Sequence, residues 1–176
     1  MIWLSNSTLA RLRDQLRQRG QRPSIVAPGG ALSPEAAELA AVSAEYGPLC
    51  EAMYLMMSAD GKVTDDERQV LKGALRNLSS DEIRSTQIEA MVDQAVTNID
   101  AEGREARMKE VIGSLHEDPA RCEVAFVLAA AIAFADNTIA DEENDTLNSF
   151  AEGLGISEER ANELLDTVEK DLNAPG

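Results

Sequence analysis

Aromatic side chains are nearly missing from this chain, which has one Trp, two Tyr and three Phe in 176 residues. Sheets are built from aromatic and β-branched residues, and no stretch here alternates apolar and polar with period two, so there is no reason to expect strands. Histidine occurs once, as His116 in the polar stretch LHEDP. A lone histidine in such a turn cannot make a His-based zinc centre, and no nucleophile–base couple accompanies it. Cysteine occurs twice, as Cys50 and Cys122, too few for a disulfide framework and too far apart for a CxxC redox pair. Both lie in apolar surroundings and read as buried thiols. Basic residues are outnumbered, 16 Lys and Arg against 32 Asp and Glu, for a net charge of −16. That balance excludes nucleic acid as a partner, because phosphate binding needs clustered cations. The longest apolar run, Val124 to Ala135, falls short of the ~20 residues that cross a bilayer. The opening MIWL is too short for the apolar core of a signal peptide, so a cytoplasmic address is expected. The one glycine doublet, PGG at Pro28 to Gly30, follows no strand and opens no helix, so it is not a phosphate loop.

Alanine, leucine, glutamate and aspartate are plentiful, and they predict an all-α fold. Residues 1–19 form a basic amphipathic segment, with Leu9, Leu12 and Leu16 on one stripe amid Arg11, Arg13, Arg17 and Arg19. The first 30 residues carry five Arg and one Asp, a net of +4, which leaves −20 for the rest. Residues 20–47 read as a Gly/Pro-rich linker and an accessory helix that starts at Ser33-Pro34 and breaks at Gly47-Pro48. Residues 48–172 carry seven helical patterns, and 173–176 form a tail. Two of the seven, LCEAMYLMMSA from Leu49 and VAFVLAAAIAFA from Val124, are apolar all round and therefore buried. The others are amphipathic. They follow Thr64, Ser80, Ile99, Ala140 and Ser157, and Gly153 with Gly155 closes the helix before the last.

Each all-apolar helix runs into an acidic loop. The first reads SADGKVTDDE, Ser58 to Glu67; the second, 76 positions later, reads FADNTIADEE, Phe134 to Glu143. The repeat predicts a pseudo-duplicated helix–loop–helix unit whose two buried helices pack together. The loops match the second half of an EF-hand, but its first and third ligand positions fall on Met56 and Ser58, then on Ile132 and Phe134. A standard EF-hand is therefore excluded. Helix capping explains the first loop: Asp60-Gly61 ends a helix, and Thr64 to Glu67 is a capping box. In the second loop Ala140 replaces Thr64 while Glu143 stays, and Asp136 stays at a helix C-terminus where a negative charge is unfavourable. What persists is an Asp–x6–Glu pair, Asp60 with Glu67 and Asp136 with Glu143. Four such carboxylates brought together need protons, amides or a cation. Their hard oxygens suit Ca²⁺, Mg²⁺ or Mn²⁺ rather than zinc.

This doubled pattern, with the ending GLGIS, resembles the TerB-like tellurite-resistance family from about Pro48 to Leu172. The resemblance implies a seven-helix all-α fold of tandem four-helix arrangements. It also implies an acidic site for a divalent metal, which carries over to Asp60, Glu67, Asp136 and Glu143. It implies a role in resistance to tellurite and other stresses near the inner face of the membrane. Asn137 stands where the family pattern has Gly. Three functional readings follow. The first is a non-catalytic metal-binding module that senses or buffers a divalent ion. The second is a metal-free scaffold whose acidic face binds a basic protein partner or a second copy. The third is membrane contact through residues 1–20, where Trp3, Leu4 and the arginines face anionic lipid.

Overall fold

A computed structural model describes Leu4 and residues 6–17, 33–135 and 139–173. The described residues hold eight helices and no strand. They are α1 (Asn6–Arg17), α2 (Pro34–Met57), α3 (Asp65–Leu78), α4 (Ser85–Glu102), α5 (Arg104–Leu115), α6 (Pro119–Ala133), α7 (Asp141–Gly153) and α8 (Glu158–Leu172). The expected linker falls largely on residues 18–32, outside the described residues.

The all-apolar segments behave as their composition dictates. Leu49 to Met57 of α2 and Val124 to Ala133 of α6 are buried on nearly every face, and α2 and α6 make the most extensive contact among the described helices. Everything else is arranged about this pair. Helix α3 packs on both α2 and α6, and α7 packs on both α6 and α2. Helix α4 lies on α2, and α8 lies on α6. Helix α1 covers α3 and α6, while α5 covers α7 and α2. Exchanging α1–α4 with α5–α8 reproduces these contacts, so the expected helix–loop–helix repeat stands and extends to a four-helix unit. The N-terminal helix supplies the eighth member: Leu9, Leu12 and Leu16 of α1 are buried at the spacing of Met108, Val111 and Leu115 of α5.

Two boundaries differ from expectation. The accessory helix does not stop at Gly47-Pro48; α2 runs through Pro48 as one helix of 24 residues. A proline inside a helix forgoes one ladder hydrogen bond and crowds the preceding turn, at a cost of ~3 kcal/mol. The burial of Leu49, Cys50, Ala52, Met53, Leu55 and Met56 outweighs this. The carbonyl of Glu45, one turn before the proline, accepts a hydrogen bond from the Arg121 guanidinium of α6. Helix α4 begins at Ser85 rather than just after Ser80. Ser80 and Asp81 instead take left-handed φ of 56° and 62° and close α3, the Asp81 amide reaching back to the Arg76 carbonyl at 2.8 Å. Gly155, at φ +69°, closes α7 in the same way, the Ile156 amide donating to Ala151 O at 2.9 Å. Gly153 matters for space instead. A Cβ there would lie 2.5 Å from Ile112 Cδ1, so the glycine lets α5 approach α7.

Candidate functional site

The two acidic loops lie at equivalent places, each after an inner helix and before the helix that crosses to the other unit. In the first loop Ser58 ends α2 and Gly61 takes φ +77°. The exposed Asp60 accepts the Lys62 amide on Oδ1 at 2.8 Å, a local turn that any Asp or Asn can make. Glu67, only 6% exposed, turns Oε2 to both the amide and the hydroxyl of Thr64, each at 2.7 Å. The Thr64 hydroxyl in turn accepts the Glu67 amide at 3.2 Å, so the capping box is complete. In the second loop Glu143, 7% exposed, accepts the Ala140 amide on Oε2 at 2.8 Å. Half of the box therefore survives without a capping hydroxyl, because its backbone half needs only an N–H at the cap position. Asp136 lies outside the described residues.

The structure thus brings Asp60 together with the Lys62 amide, Glu67 with Thr64, and Glu143 with Ala140. Among the described residues no three His, Cys, Asp or Glu side chains group closely enough to hold a metal ion. Asp60, Glu67 and Glu143 therefore make no such group by themselves.

Two arginines of α5 hold the part of α2 that leads into the first loop, and sequence spacing carried no sign of them. Arg104 donates to Ser58 Oγ and to the Leu55 carbonyl, placing a cation on the C-terminal end of α2. Arg107 grips Glu51 of α2 in a two-pronged pair at 2.7 and 3.0 Å, and Glu102 adds a contact at 3.1 Å. Glu51 is buried, and its hydrogen bonds to Arg107 strengthen that guanidinium's hold on its proton. The Glu51–Arg107 pair borders a cleft of about 280 Å³ between α2, α4 and α5, lined also by Gln94 and Asn98. Neither thiol belongs to these features. Burial, reinforced by the neighbouring Glu51, pushes the Cys50 thiol up to about 12. The Cys122 thiol is buried as well and donates to the Leu115 carbonyl at 3.2 Å. His116 is exposed in the turn between α5 and α6, as its polar neighbours implied.

The geometry defines a class: an all-helical module of two pseudo-equivalent four-helix units, with an acidic loop at the end of each inner helix. Over residues 49–166 the chain matches the family described as tellurite resistance protein TerB, and it belongs to that family. No curated protein and no solved structure matches it. The match omits α1 and the first half of α2, which the structure joins to the same core. No helix among the described residues is long and apolar enough to cross a membrane.

Proposed function

We propose that this chain is a non-catalytic sensing or assembly module of tellurite and stress resistance, working in the cytoplasm or on the inner face of the membrane. Its acidic loops would take a divalent cation. The observation that carries this reading is the pair of buried glutamates, Glu67 and Glu143, at the same position of the two units. Each lies seven residues after an Asp, and the second is kept although its capping hydroxyl is lost. Asp60, Glu67, Asp136 and Glu143 would hold the ion, and an all-oxygen donor set suits Ca²⁺, Mg²⁺ or Mn²⁺. The ion would supply charge compensation between the units rather than chemistry. Two buried thiols and one exposed histidine give no support to reduction of tellurite by this chain alone.

Thermal unfolding after chelation, with and without each cation, tests the site. Saturation at ~100 times the dissociation constant adds about 2.7 kcal/mol, a rise of roughly 5–11 °C. No rise sinks the reading, as does an equal rise after all four acids are changed to Ala.

A second reading, a metal-free scaffold whose acidic face binds a basic protein, is favoured by one observation. From 139 to 173 the only basic residues are Arg160 and Lys170, amid acids along both α7 and α8. The third reading, membrane contact through residues 1–20, loses support because Leu4, Leu9, Leu12 and Leu16 are already buried against the protein.

A further inference from the structure

Helices α3 and α7 share their buried positions: Glu67 corresponds to Glu143, Leu71 to Leu147 and Leu78 to Leu154. Helices α4 and α8 do the same: Ile88 corresponds to Ala161, Met91 to Leu164 and Ala95 to Val168. In each unit these two helices leave a groove over the inner helix, but the grooves differ. The first, about 260 Å³, is walled by Arg68, Lys72, Glu89 and Asp93, and Lys72 bridges to Glu89 across it at 3.2 Å. In the second unit the positions of Arg68, Lys72 and Glu89 are held by Asn144, Asn148 and Asn162. No ion pair spans that groove among the described residues. It opens to about 460 Å³, and Phe126, Phe134, Leu147 and Leu165 are among the residues that line it. At its mouth stands Ile139, at 37% the most exposed large aliphatic side chain among the described residues. Its counterpart in the first loop, Val63, packs against the core. Exposed carboxylates, Glu152 and Glu158, rim the groove.

We infer that the α6–α7–α8 groove is a docking site for an amphipathic basic helix of a partner protein. This deepens the scaffold reading, from which it takes the basic partner, and adds the place and the apolar face. An apolar stripe at i, i+3, i+4 and i+7 fills such a groove. Lysine or arginine flanking that stripe meets the carboxylate rim, and the acidic surface of α7 and α8 rejects acidic helices. The first unit has the same backbone plan, but side-chain charges bridge and narrow its groove, which favours docking on the second.

The test uses the full chain and a fluorescent synthetic helix of about 18 residues, with leucine at that spacing and lysine elsewhere. Micromolar binding is expected at about 150 mM salt, with amide NMR shifts confined to α6, α7 and α8. The Asn148→Lys/Asn162→Glu double variant rebuilds the closing pair of the first unit without changing net charge. It should weaken binding at least tenfold (about 1.4 kcal/mol) while melting like the parent. Ile139→Glu, at the rim and outside the core, should weaken binding as well. Equal binding by the double variant overturns the groove while leaving an acidic-face scaffold standing. The absence of any binding overturns both. Equal binding of a glutamate version of the helix removes the charge argument and the proposal with it. Two other results reassign the groove and overturn a foreign partner: tighter peptide binding after Ile25→Ser/Val26→Ser assigns it to the chain's own 18–32 segment, and a dimer that the double variant dissolves assigns it to a second copy.

Discussion

The two four-helix units share a backbone plan and differ in what fills its polar positions. Where α5 crosses α2, a buried ion pair joins Arg107 to Glu51; the matching positions where α1 crosses α6 are Thr8 and Val127. The first acidic loop has a full capping box, the second only its backbone half. A serine at left-handed φ closes α3, steadied by Arg17 of α1 at 2.8 Å, whereas a glycine closes α7. The first groove is crossed by an ion pair, the second by none among the described residues. Burial of a common apolar pattern holds the scaffold, which leaves the polar positions at crossings, caps and rims to diverge between the copies.

The comparison breaks most directly at α1. If α1 is the true counterpart of α5, deleting residues 1–32 uncovers α3 and α6 and removes four buried leucines, each worth about 1.5–3 kcal/mol gross. After the ordering entropy is returned, a net loss of several kcal/mol is expected, a melting point lower by on the order of 10 °C. An unchanged melting curve would show that α1 is an appendage and that the four-helix repeat is an accident of contact.

A smaller effect is expected at the crossing of α5 and α2. Glu51→Ala leaves Arg107 partly buried with only Glu102 for company, and chemical denaturation should register a loss of about 3 kcal/mol. Rewriting the pair as its counterpart in the other unit, Glu51→Val with Arg107→Thr, should restore most of that. If the double variant is as weak as the single, the two crossings are not interchangeable.

The smallest effect separates the two loops. Thr64→Ala should cost about 1 kcal/mol, and Ala140→Thr, at a backbone already extended for capping, should gain a similar or lesser amount. Equal and negligible shifts at both sites would mean that Glu67 and Glu143 gain nothing from the hydroxyl.

Much of this was legible in advance. The apolar stripes of α3, α4, α5, α7 and α8 carry a 3.6-residue period, and the all-round apolarity of α2 and α6 marked the central pair. The break expected at Pro48 failed because a local rule met a larger non-local term, the burial of the following two turns. The kinship of α1 and α5 stayed hidden because they share only three apolar positions, with arginines around one and mixed charges around the other. Glu67 as a capping acid followed from Thr64-x-x-Glu67 alone. Glu143 persists without a capping hydroxyl, and its bond from the Ala140 amide, which the sequence did not announce, leaves its burial as the feature it shares with Glu67. Arg104 and Arg107 gave no local signal, since their partners lie 46 to 56 residues away.

The unbroken course of α2 gives the molecule a lever. At 1.5 Å per residue its 24 residues span about 36 Å, from the exposed Pro34 to the turn that sets Asp60. The fulcrum is Pro48, where Arg121 holds the loosened turn to α6. Whatever grips the outer arm, in the part of the chain that the family match leaves out, acts on the same continuous helix that ends at the first acidic loop.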